Sequence, residues 1–102
     1  MAPYRNGVMA APNQCELRAR VVSIKISTQF PDKQELDFQL LDARPLEGPD
    51  FASRRIGQTV KGFTFEHSME LSEGTVVRAK AAYLGDARAG QFQLTDLKPD
   101  ED

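Results

Sequence analysis

At 102 residues the chain is sized for one domain with a modest core. Its 40% hydrophobic and 27% charged content is that of a soluble globular protein, and no run approaches the ~18 consecutive apolar residues of a membrane span. A net charge of −2 excludes a surface built wholly for phosphate, and a single cysteine excludes an intrachain disulfide.

Residues 1–14 mix Pro3, Asn6, Gly7, Pro12 and Asn13 with scattered apolar side chains, and no period fits them. They lack the continuous apolar run of a secretory signal. We therefore read 1–15 as an N-terminal arm, 16–98 as the folded body and 99–102 as an acidic tail. Cys15, at the start of the first strand, reads as a small buried apolar residue, and a lone cysteine fits a reducing cytoplasm.

From Glu16 to Ser27 the chain alternates, with Leu17, Ala19 and Val21 on one face and Arg18 and Arg20 on the other. After Val21-Val22 the parity flips, which predicts a β-bulge and transfers the inward role to Ile24 and Ile26. A loop over Thr28 to Glu35, containing Pro31, follows. The second strand, Leu36 to Ala43, points Leu36, Phe38 and Leu40 inward and Asp37 and Gln39 outward. Arg44 to Gln58 is a connection of about fifteen residues, in which Asp50 to Arg55 fits a helical turn capped by Asp50.

Thr59 to Glu66 is the third strand. His67 to Glu73 has room for one helical turn, ended by Gly74. Thr75 to Leu84 is the fourth strand, with Val77, Ala79, Ala81 and Tyr83 on one face. A glycine-bracketed turn, Gly85 to Gly90, leads to the fifth strand, Gln91 to Leu97. Evenly spaced strands with glycine-marked turns predict an all-β barrel or sandwich.

A long bulged first strand, two further strands, a short linker and a final hairpin that begins Leu71-Ser-Glu-Gly-Thr-Val-Val resemble the OB-fold (oligonucleotide/oligosaccharide-binding) superfamily over residues 16–97. The resemblance implies a five-stranded Greek-key barrel, with at most one short helix between strands three and four. That helix would have to fit into about seven residues, which leaves an SH3-like or other small β-barrel as the alternative. Lys61-Gly-Phe-Thr-Phe65 is locally similar to the aromatic RNA-contacting segment of cold-shock and RRM domains, although it falls on the third strand rather than the second. The OB-fold resemblance implies a ligand against strands two and three, flanked by the first loop and the last turn.

On a strict two-residue period Lys61, Phe63 and Phe65 share one face while Val60 and Gly62 take the other. Facing outward, they would supply two stacking rings beside a phosphate contact. The competing reading makes Gly62 a bulge that sends Val60, Phe63 and Phe65 into the core. Phe30, beside Pro31, either stacks on a ligand or folds back over the barrel end. Arg54, Arg55 and Arg88 lie in loops and would ring the site. Phe51 reads as core. Arg18, Arg20, Lys25, Arg78 and Lys80 form a basic stripe if strands one and four are neighbours, and a solvated face that discourages edge pairing is its plainer explanation.

His67 is the only histidine, with Glu66 and Glu70 near enough in sequence to orient it. It has no cysteine neighbours for a zinc site and no evident nucleophile to activate. No glycine-rich cradle of P-loop or dinucleotide type occurs. The expectation is a non-catalytic module without metal or cofactor that binds single-stranded nucleic acid, as a monomer or a homo-oligomer, with binding that weakens steeply with salt. The alternative is a protein-interaction barrel, a subunit or adaptor, favoured by the neutral body and the acidic tail.

Overall fold

Alternating apolar residues generate five strands in the structure, a computed structural model that describes residues 11–67, 69–85 and 90–100. They are β1 (Gln14–Ile26), β2 (Gln34–Glu47), β3 (Thr59–Thr64), β4 (Val76–Gly85) and β5 (Gly90–Pro99). The strands close into a barrel in the order β1-β2-β3-β5-β4. All neighbours are antiparallel except β3 and β5, which run parallel. The architecture is all-β, as the sequence predicts, and compatible with an OB-like barrel. No described helix is long and apolar enough to cross a membrane.

Closure of so small a barrel requires sharply bent strands, and bulges supply the bends. In β1 the register slips at Val21/Ser23, where Val22 turns outward at the predicted position. Two further slips put the extra residue on β2, Leu41 opposite Arg18/Ala19 and Leu46 opposite Gln14/Cys15, and the sequence reading anticipated neither. Ile24 is partly buried against the core, but Ile26 is exposed, contrary to the sequence reading. It is the last residue of β1, paired with Gln34 at the barrel's rim, where no layer remains to cover it.

The second strand runs four residues past its predicted end at Ala43, because β1 continues to pair with it as far as Gln14↔Glu47. The only described helical turn is the 3-10 turn Ser53–Arg55, between β2 and β3. Asp50 Oδ1 accepts the backbone N–H groups of Ala52 and Ser53 at 3.1 and 3.0 Å, leading the chain into that turn. The helical turn expected over 67–73 is absent from its described residues.

The core is a chain of rings set among Leu17, Leu36, Leu40, Leu94 and small residues. Phe38 meets Phe92 edge-on at 6.3 Å, and Phe92 meets Tyr83 edge-on at 5.1 Å. Tyr83 in turn stacks on Phe51 at 4.9 Å, and each such pair adds about 0.5–1.5 kcal/mol beyond its buried area. Asn13 anchors the entering chain, accepting the Tyr83 N–H at 2.8 Å and donating to the Tyr83 carbonyl at 3.1 Å.

The β3–β5 seam is the narrowest, with only Gly62↔Phe92 and Phe63↔Gln93 paired. Side chains extend it. Thr64, fully buried, donates its hydroxyl to the Leu94 carbonyl at 2.8 Å and accepts the Glu66 N–H at 3.0 Å. Further along, Asp96 and Leu97 of β5 bulge between the rungs Arg78↔Lys98 and Lys80↔Thr95, and Asp96 adopts φ 55°. Glu66 accepts the N–H groups of Asp96 and Leu97 at 2.8 and 3.1 Å, one on each carboxylate oxygen.

Gly62 is required by this close approach. A Cβ there would lie 2.6 Å from Phe38 Cε1 and 2.9 Å from the Phe92 carbonyl oxygen. Gly62→Ala is expected to lower unfolding stability by about 1–3 kcal/mol through overpacking. Thr64→Val, which keeps the shape but orphans the Leu94 carbonyl and the Glu66 N–H, is expected to cost about 1–3 kcal/mol. The same change at exposed Thr59 should be nearly neutral. Urea titrations of the three variants measure these differences.

Candidate functional site

On β3 the side chains keep a strict two-residue period. The register against β2 is uninterrupted from Gln34↔Thr64 to Gln39↔Thr59, so Gly62 is not a bulge. Val60, Gly62 and Thr64 face the interior, while Lys61, Phe63 and Phe65 face outward. The outward rings nevertheless differ in exposure. Phe65 is 48% exposed, whereas Phe63 is 6% exposed although it lies outside the contiguous core cluster.

What covers Phe63 is a satellite cluster on the outer wall. The Phe65 ring meets it edge-on at 5.8 Å, and Lys33 Nζ stands over its face at 4.5 Å. Lys33 Nζ also lies 5.7 Å from the Phe30 ring, so a single ammonium links the first loop to the end of β3. Phe30 does not fold back, remaining 52% exposed.

The loop that carries Phe30 is built from local hydrogen bonds. Ser27 Oγ accepts the N–H groups of Gln29 and Phe30, each at 3.2 Å. The Lys33 N–H returns to the Phe30 carbonyl at 2.8 Å, closing a turn with Pro31 at its second position, and Ser27 N–H bonds the Lys33 carbonyl at 2.9 Å. His67 braces the outer side. Its Nε2 lies 2.9 Å from the Asp32 carbonyl oxygen and so carries the proton, leaving Nδ1 to accept from Gln34 Nε2 at 3.0 Å. Glu66, expected to orient this histidine, is committed to the β5 bulge.

Adjoining the rings, a groove of about 330 Å³ crosses the outer face of β1, β2 and β3. Lys25, Glu35, Asp37, Lys61 and Gln91 line it. Lys61 pairs with Asp37 at 3.7 Å and Lys25 with Glu35 at 3.7 Å, while Ser23 Oγ donates to Asp37 at 2.9 Å. The charges along the groove are therefore balanced, and Ile24 and Leu36 give it an apolar floor.

Phe30, Phe63, Phe65 and, two residues along, Lys61 thus come together. Arg54 and Arg55 do not, because the β2–β3 connection lies at the opposite end of those strands from the first loop. Arg55 stacks on the Tyr83 ring at 4.9 Å and donates to the Phe51 carbonyl. Arg88 falls outside the described residues. The site residue missed in the sequence is Lys33, which precedes Glu35 by two and Asp37 by four and shares their outward parity.

The basic stripe is not an edge, since β1 and β4 pair and Arg18 stands directly opposite Arg78. Asp100 joins the two, its carboxylate oxygens 2.8 Å from Arg18 Nε and 2.7 Å from Arg78 Nε. Among the described residues no three His, Cys, Asp or Glu side chains group as a metal site. Burial, helped by the Asp50 charge, pushes the Cys15 thiol up to about 11, so the thiol stays protonated and unreactive at neutral pH. Comparison with protein-family models, curated proteins and solved structures finds no match to this chain.

Hydrogen bonds from Arg78 and then Arg18 hold the Asp100 carboxyl below the usual carboxylate range. The stability this pairing supplies is complete above the ordinary carboxylate pKa of about 4, and it is lost as pH falls through the lower folded-state value. Asp100→Asn should therefore lower Tm at pH 7, with the gap to wild type narrowing toward about pH 2. Thermal melts across that range measure it.

Proposed function

We propose that this protein is an OB-like module that binds single-stranded nucleic acid on the outer face of β2 and β3. The observation that carries the reading is a pair of half-exposed rings, Phe30 beside the Lys33 ammonium and Phe65 edge-on to Phe63, whose face the same ammonium covers. An exposed phenylalanine offers a base a π-face whatever the base's identity, and a neighbouring ammonium suits the backbone phosphate. Phe63 supports the platform from beneath and is not itself a stacking surface. Phe30 sits on a hydrogen-bonded turn, so little ordering entropy is left for binding to oppose.

The strand order and the parallel β3–β5 closure support assignment to the OB-fold class, whose members present this face and the first loop to oligonucleotides. Phosphate contacts on this face reduce to Lys33, with Lys25 and Lys61 already paired to carboxylates. A salt slope of about −0.7 to −2, shallower than a basic groove would give, follows from one to three neutralised phosphates.

The same charge balance favours a second reading, a protein partner seated on the rings. Exposed apolar surface ringed by neutralised charge is common at protein interfaces.

Fluorescence anisotropy with labelled single-stranded DNA and RNA at low salt decides between them. Wild type should bind, and Phe30→Ala and Phe65→Ala should each weaken binding roughly 5- to 150-fold, the equivalent of about 1–3 kcal/mol per lost stack. Arg54→Ala, at the far end of the barrel, should change little. No wild-type binding, or binding untouched by the two ring substitutions, would remove the nucleic-acid reading and leave the protein partner.

A further inference from the structure

Arg18 and Arg78 are directly opposed across the β1–β4 ladder, on the barrel's outer surface. Like charges so placed repel, and an anion between them relieves the repulsion. Asp100 is that anion. It meets each Nε with a different carboxylate oxygen, and its side chain is 1% exposed while those of Arg18 and Arg78 are 34% and 57% exposed. Asp100 is held by one more rung beyond β5, its N–H donating to the Val76 carbonyl at 3.1 Å.

Two guanidiniums converging on the separate oxygens of one group is how arginine recognises phosphate as well as carboxylate. Beside the pair lies a hollow of about 220 Å³ lined by Glu16, Asp42, Arg44, Arg18 and Arg78. Glu16 is satisfied by Arg44 at 2.6 Å, and Asp42 Oδ1 accepts the Ala43 N–H at 2.9 Å.

The geometry points to the Arg18–Arg78 fork as a phosphate-oxyanion site that Asp100 keeps occupied in cis. Asp100 acts as an intramolecular competitor, present at the high effective concentration of a tethered group, and it lowers the apparent affinity of any incoming phosphate. A phosphate group enters by displacing one carboxylate, and both guanidiniums keep their hydrogen bonds. The site is separate from the aromatic platform and does not rest on it.

The test follows the arginine Nε–H signals by NMR in the full chain, titrating inorganic pyrophosphate in one arm and an abasic phosphodiester oligomer in the other. Asp100→Asn combined with Glu101→Gln and Asp102→Asn neutralises the segment without shortening it. In that variant the Arg18 and Arg78 signals should shift saturably, with affinity at least about tenfold above wild type. Adding Arg18→Gln should abolish the gain, whereas Phe30→Ala with Phe65→Ala should leave it intact. Response in the first arm identifies free phosphate and response only in the second identifies a backbone ester. Wild type supplies a check that needs no variant: at high pyrophosphate, its Asp100 amide signal should move with the same midpoint as the two arginines. Equal affinity in wild type and variant, a gain that survives Arg18→Gln, or arginine shifts without Asp100 movement would overturn the assignment.

Discussion

The barrel depends on its parallel seam. Four of the five strand contacts are antiparallel ladders of six or more paired residues, but β3 and β5 share only two. Backbone pairing alone is too sparse there to hold a closed sheet. Thr64 and Glu66 supply what the ladder lacks, lending side-chain oxygens to N–H and C=O groups that have no opposite strand. Leaving the buried Leu94 carbonyl unpaired would cost about 1–3 kcal/mol. The absence of a side chain at Gly62 lets Phe38 and the Phe92 carbonyl close in behind the seam.

The same seam sets out the candidate site. Because Thr64 is drawn inward to Leu94, the two-residue period puts Phe63 and Phe65 on the outer wall, beside the end of the first loop. Lys33 then fills the space over Phe63, and Phe30 is presented at the edge. A structural requirement of closure thus leaves the Phe65 ring exposed beside the first loop.

Much of this was legible in the chain. Alternation in Leu36-Phe38-Leu40 and in Val77-Ala79-Ala81-Tyr83 gave both strand type and inward face, and the Val21-Val22 pair marked its bulge. The outward direction of Phe63 and Phe65 was one of two readings the period allowed, and only the register against β2 separated them. What the chain concealed depends on partners distant in sequence. Nothing local in Glu66 points to the N–H groups of Asp96 and Leu97, and Asp100 reads as one more tail carboxylate until strand pairing brings Arg18 and Arg78 to it. Lys33 was hidden by placing the loop two residues too far along. Arg54 and Arg55 looked like site residues because they lie in a loop, but antiparallel pairing carries that loop to the other end of the barrel.

Cys15 has a practical consequence. As the sole cysteine, sealed beneath the barrel wall with its thiol protonated, it would ignore maleimide chemistry while the fold is intact. A cysteine substituted for exposed Ile56 would therefore take a fluorophore or spin probe at one defined position, with the native sulfur left in place as an internal reporter of unfolding.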